Sequence, residues 1–148
     1  DAGSRFVSLI HDAIDALDEG RRNRVELSLQ WFFRAEQAQG VSGFIMYWFT
    51  LEALAMPGAT SLAALEDRLG AIYELERQAA RARFRMGRLY GLRGDIVHQG
   101  LHPTIHFKVL EFLAAVYWDL LLDTLGLDAA YAAGAVLDGQ DIDKWFPR

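Results

Sequence analysis

Apolar residues along this chain recur at every third and fourth position, the spacing that lines one face of an α-helix. Phe6, Val7, Ile10, Ile14 and Leu17 predict a first amphipathic helix that stops near Gly20. Val25, Leu29, Phe32 and Phe33 mark a second, from about Arg22 to Gln39, ended by Gly40. A third spans about Val41 to Met56 and halts at Pro57-Gly58; its run Phe44-Ile45-Met46-Tyr47-Trp48-Phe49 is apolar all round, which predicts burial from several sides. After a loop from Pro57 to Ser61, Leu62, Leu65, Leu69, Ile72 and Tyr73 outline a fourth helix, and a fifth runs from Glu76 to about Arg93. The pattern leaves open whether those two are continuous.

Pro103 suits the first turn of a sixth helix, where its missing N–H costs nothing. That helix reaches Leu125-Gly126 and carries Ile105, Val109, Phe112, Leu113, Val116, Tyr117, Leu120 and Leu121. Glu111 and Asp119 interrupt it, so no membrane span is expected. Its apolar surface is too wide for one contact face, which predicts core on one side and a second chain on the other. From Asp128 onward the pattern predicts a short helix and an irregular end. No segment alternates as a strand does, so the expectation is a single all-α domain of five to six helices with residues 127–148 as a C-terminal extension.

A chain of 148 residues that is 52% hydrophobic can bury a core without disulfides or structural metal. It contains no cysteine, which excludes disulfides, thiolate zinc sites and cysteine nucleophiles and fits a cytoplasmic protein. Position 1 is Asp rather than Met, so the expectation is a domain excised from a longer protein whose other domains are partners. The net charge of −5 argues against a protein that coats nucleic acid. The basic residues are clustered, however: Arg77, Arg81, Arg83, Arg85, Arg88 and Arg93 fall in a stretch without any acid. Arg77, Arg81, Arg85 and Arg88, spaced by four, four and three, form one stripe on a continuous helix. Such a stripe either follows the phosphate backbone of RNA or is a solvated charged face.

The run Leu89-Tyr90-Gly91-Leu92-Arg93-Gly94-Asp95-Ile96-Val97-His98-Gln99-Gly100 carries the chemistry. Histidine titrates nearest neutral pH and arginine offers a permanent planar fork to phosphate oxygens. On a straight helix five positions rotate about 140° past one turn, so Arg93 and His98 diverge. A break at Gly94, with Gly100 closing the segment, would bring them together. So would a two-fold dimer that sets one motif against its copy.

This dodecamer resembles the LY-x-x-R-x-x-I-V-H-x-G signature of HEPN domains, particularly the Apea-like subgroup. Upstream, Tyr47-Trp48-Phe49-Thr50-Leu51-Glu52-Ala53-Leu54 is similar to that subgroup's helix with a Leu-Glu pair, and the resemblance covers most of residues 20–126. It implies a HEPN-like bundle forming a two-fold homodimer whose motif helices share one cleft, a metal-independent endoribonuclease site in active members. Carried onto this chain, His98 would act as base on a ribose 2′-hydroxyl or as acid toward the leaving oxygen, a role worth about two to four powers of ten. Arg93 would stabilise the phosphorane charge, leaving a 2′,3′-cyclic phosphate. The sequence departs from many active relatives at Gly94, where they carry a polar residue. The other implied function is a catalytically inactive module that dimerises a larger protein or binds RNA or nucleotide. The setting stays open between antiviral defence, a toxin pair and housekeeping.

Three further residues support that reading. Glu52, a carboxylate in an apolar helix, either faces solvent or meets a cation, for which Arg93 is the candidate. Asp95 either orients His98 or pairs with Arg93. Tyr90 shares the Arg93 face and serves either substrate or core. His98, His102 and His106 repeat every fourth position, but Gly100 and Pro103 spoil the register for a metal site. No metal or cofactor is expected. The Arg93-Gly94-Asp95 tripeptide matches an adhesion motif only at the level of chance.

Overall fold

Between α1 (Ala2–Asp15) and α2 (Glu19–Glu36) the boundary is set by Asp18, whose carboxylate accepts from the Arg21 N–H at 2.9 Å. Gly20, expected to lie beyond the first helix as its stop, is instead inside the first turn of α2: a capped N-terminus with Glu19 behind it outweighs one glycine's modest helix penalty. The computed structural model describes residues 1–56 and 62–147. The chain turns at Gln37–Gln39 into α3 (Gly40–Ala55), which runs back along α2. The loop expected from Pro57 to Ser61 lies outside the described residues.

The fourth and fifth expected helices are separate. α4 (Ala63–Tyr73) ends with Glu74 in the left-handed region and the Leu75 N–H donating to Gly70 O at 2.8 Å. A Cβ on Gly70 would stand 2.5 Å from Leu75 O, so only glycine admits this closure. α5 (Arg77–Phe84) and α6 (Met86–Gln99) meet at Arg85, φ +54°. Here the sequence reading is corrected. The expected helix to Arg93 breaks at Arg85, and Gly94, the expected break, lies within continuous α6. The cause is packing: Phe84 and Met86 are both fully buried, yet two positions on one helix lie about 200° apart. A left-handed residue between them turns both inward, at a cost of about 1–2 kcal/mol. Gly94 has no such conflict, and Gly100 closes α6 with φ +68° as expected.

α7 (Phe107–Thr124) begins four residues after Pro103, which sits in the extended connection rather than in a first turn. His106 takes the capping role, its Nδ1 accepting from the Lys108 N–H at 3.0 Å. The wide apolar surface of α7 does not call for a second chain. Val109, Phe112, Leu113, Val116, Tyr117, Leu120 and Leu121 are all buried within one protomer, because α3, α4 and α8 (Ala132–Leu137) surround the helix. Phe32 of α2 stacks on Tyr117 at 4.8 Å, and Trp48 and Phe44 of α3 fill the centre. Each such side chain contributes about 1.5–3 kcal/mol by leaving water.

α8 is docked by one buried carboxylate. Asp119 accepts from the Tyr73 hydroxyl (2.5 Å) and from the N–H groups of Ala132 (2.7 Å) and Ala133 (3.0 Å). The expected irregular end includes a 3₁₀ turn, Ile142–Trp145. Among the described residues there are thus eight α-helices and no strand: the division into α5 and α6 adds one to the bundle, and α8 is the short helix expected beyond Asp128. No described helix is long and apolar enough to cross a membrane.

Candidate functional site on the outer face of α6

The expected pairing of Glu52 with Arg93 is present. Arg93 Nε donates to Glu52 Oε1 at 2.9 Å, and the indole N–H of buried Trp48, one turn before Glu52 on α3, donates to the same oxygen at 2.7 Å. One carboxylate oxygen therefore ties the α6 guanidinium to the core. The Arg93 side chain retains only 20% of its exposure, and its two terminal nitrogens make no hydrogen bond among the described residues. That free edge is the part of a guanidinium that binds phosphate oxygens in a fork. Tyr90 covers Trp48 with ring centroids 6.0 Å apart and is itself 39% exposed.

His98 is exposed and makes no hydrogen bond among the described residues. Its ring folds back over Gly94, where an added Cβ would come within 4.0 Å of His98 Cδ2. Because α6 is continuous, Arg93 and His98 leave it about 140° apart, so the two side chains diverge within one chain. Between them runs an uncovered apolar seam. Tyr90, Gly94 and Val97 repeat at four and three, and Tyr90 and Val97 are 39% and 46% exposed. Gly87 and Gly91 beside it have open space where a side chain would stand. Arg93 flanks one edge of this seam and His98 the other.

Asp95 takes neither expected role. It bonds to neither His98 nor Arg93 and instead lines a cavity of about 400 Å³ with Arg88, Leu101, Pro103 and Phe146. Two positions along the helix turn it about 200° away from Arg93, which accounts for the missing bond to that guanidinium.

The arginine stripe is also corrected, in its premise that no acid opposes it. Arg77 makes a two-pronged pair with Asp67 (2.7 and 2.6 Å), and Arg81 one with the fully buried Glu66 (2.7 and 2.8 Å). Arg85 and Arg88 share Asp143, the latter with its guanidinium 4.3 Å above the Phe146 ring. Hydrogen bonds donated by Arg77 hold the Asp67 carboxyl below its ordinary range and raise Arg77 itself; those that Arg81 donates to Glu66 raise Arg81. The acids come from α4 and the 3₁₀ turn, remote in sequence. The bend at Arg85 further divides the stripe between two helices.

Of the histidines, His106 caps α7 and stacks on Phe107 at 4.8 Å. No group of three or more His, Asp or Glu among the described residues is placed to hold a metal ion.

Sequence reasoning missed two clusters. One is Arg21, Arg24 and Arg68 around a single cavity; the run Arg21-Arg22-Asn23-Arg24 was visible, but nothing in the chain order brings Arg68 to it. The other is the Trp31–Phe49 edge-to-face pair on the outer side of α2 and α3, 5.1 Å between centroids, which helical periodicity alone assigns to the core. Family models, curated proteins and solved structures compared with the chain yield no match.

Proposed function

We propose that this chain is a HEPN-like bundle that pairs two-fold through the α6 seam and cleaves RNA without metal at a site composed from both copies. Arg93 binds the scissile phosphate through its free edge, held in place by Glu52. His98 moves the proton between the ribose 2′-hydroxyl and the leaving oxygen, and Tyr90 lines the approach. The observation that carries the reading is the seam itself: two chemically suited groups flank one uncovered apolar stripe and diverge from it on a single helix. A second copy lying along the stripe supplies the missing half, and Gly94, Gly91 and Gly87 allow its backbone close. An isologous contact of this kind is the commonest form of oligomer.

The test is complementation. Arg93→Ala and His98→Ala should each abolish RNA cutting in EDTA. An equimolar mixture of the two should recover about a quarter of wild-type activity, since half the dimers are mixed and each mixed dimer keeps one intact site. Recovery of nothing while each variant still dimerises would refute the composite site. A second reading rests on the Glu52 contact, which already neutralises Arg93: a catalytically silent dimerisation module. A wild-type dimer that leaves RNA intact selects it.

A further inference from the structure

A cavity of about 300 Å³ opens where the first turns of α2 meet the last turns of α3 and α7, away from the α6 seam. Its wall holds three guanidiniums, Arg21, Arg24 and Arg68, against one carboxylate, Asp123. Arg68 is built in: it donates to Thr124 Oγ1 at 2.6 Å and, at 3.4 Å each, to Asp123 and to the carbonyls of Leu54 and Leu120. It thereby occupies two of the carbonyls whose partial charge would repel an anion from these helix ends. Arg21 touches Asp18 at 3.5 Å. Arg24 has no hydrogen bond, ion pair or ring contact among the described residues, although it stands beside two other cations.

With Asp18 counted on Arg21, three fixed positive charges meet two negative ones, and the excess of one rests on Arg24. An internal phosphodiester carries one charge, whereas a phosphomonoester approaches two at neutral pH, its second pKa being about 6. A dianion therefore gains more from the three guanidiniums around this cavity than a backbone phosphate does. Arg24 also borders a second hollow, lined by Leu27, Trp31, Phe49, Ala53 and Met56 and by the Glu52 carboxylate. There the half-buried Trp31 and Phe49 rings offer a shelf, and the Arg34 guanidinium lies over the Trp31 ring, 5.3 Å from its centroid. From Arg24 to Trp31 is seven residues of α2, about 10 Å, the length of a phosphomonoester bearing one flat ring system.

We propose that the Arg21–Arg24–Arg68 cavity binds a terminal phosphomonoester dianion whose ring system rests on the Trp31–Phe49 shelf. The ligand is either a free mononucleotide or the 5′-phosphorylated end of an RNA strand; the chemistry at the cavity is the same. Neither case requires that the α6 seam cut RNA, and no step below reads cleavage.

The full chain is titrated calorimetrically at low salt with adenosine monophosphate, adenosine, inorganic phosphate and two oligoadenylates, with and without a 5′-phosphate. Adenosine monophosphate should bind more tightly than adenosine and than inorganic phosphate, and its affinity should fall below pH 6 as the phosphate regains a proton. Arg24→Ala should weaken it about tenfold or more while the melting temperature is unchanged, because Arg24 holds nothing in the fold. Trp31→Phe should weaken the mononucleotide but not inorganic phosphate. Tighter binding of the phosphorylated oligomer than of the mononucleotide assigns the site to strand ends, and the reverse assigns it to free mononucleotide. Equal binding of adenosine and its monophosphate, or unchanged affinity in folded Arg24→Ala, overturns the proposal.

Discussion

Replacing Glu52 separates its charge from its geometry, because both bonds to it end on one oxygen. In Glu52→Ala the Trp48 indole N–H, fully inside the core, loses its acceptor, and Arg93 Nε loses its anchor. Stranding a buried donor costs about 1–3 kcal/mol. The Arg93 contact adds only about 0.5–1 kcal/mol, since the two side chains keep 20% and 31% of their exposure and solvent screens them. The sum, about 2–4 kcal/mol, corresponds to a fall in melting temperature of roughly 5–12 °C at this chain length. Glu52→Gln keeps an Oε1 able to accept from both donors and gives up only the charge, so it should lose about 1 kcal/mol or less. The assay is thermal unfolding followed by circular dichroism, with the indole N–H resonance of Trp48 as a local report. If Glu52→Ala melts within about 1 °C of wild type, the shared oxygen is not a structural tie. If Glu52→Gln falls as far as Glu52→Ala, charge rather than the common acceptor holds the pair. Should the α6 reading hold, Glu52→Ala also loses RNA cutting at temperatures where it remains folded.

Asp119→Ala leaves three donors without their acceptor and should cost about 3–6 kcal/mol, with amide exchange at Ala132 and Ala133 accelerating well before global unfolding; protection equal to wild type would contradict the docking role of this carboxylate. Burial, and then the bond to Asp119, raise the Tyr73 hydroxyl far above its ordinary value of 10, and burial raises Tyr117 likewise. Both tyrosines favour the neutral form in the fold, so their contribution is full below pH 10 and is lost as pH climbs beyond it; urea midpoints should fall from about pH 10 upward, and less steeply in Tyr73→Phe. Glu74→Gly, at φ +56° with an exposed side chain, should stabilise by about 0.5–1 kcal/mol in a denaturant titration, and any loss of stability would contradict the assignment of strain there.

How far the chain order could be read follows from which residues decide each feature. The long helices were legible because Val25, Phe32, Phe44, Trp48, Phe112 and Tyr117 repeat at helical spacing and do face the core. The division at Arg85 was not, because helical spacing does not show that Phe84 and Met86, on opposite faces of a continuous helix, both belong in the core. The same omission placed the break at Gly94: a glycine permits a break, whereas a packing conflict compels one. Asp18 outranked Gly20 for a related reason, since a cap supplies hydrogen bonds and a glycine only freedom. The Glu52–Arg93 contact was legible through the family resemblance, which favours Arg93 as partner; the helix pattern alone left a solvent-facing carboxylate as the alternative.

Charge was the least legible property, and the two arginine groups show why. From Arg77 to Arg88 the chain contains no acid, yet every member of that stripe meets a carboxylate brought by α4 or the 3₁₀ turn. At Arg21 and Arg24 the chain is locally mixed, with Asp18, Glu19 and Glu26 close by, yet Arg24 meets none of them and Arg68 arrives from another helix to add a third cation. Local composition thus pointed to a basic surface where folding cancels it, and to neutrality where folding concentrates charge. An ion pair forms across a few ångströms of space, and helix packing, not chain order, decides which charges share that space. The surface that can attract an anion is therefore set by the donors left over after folding, among which are the free edge of Arg93 and the Arg24 guanidinium.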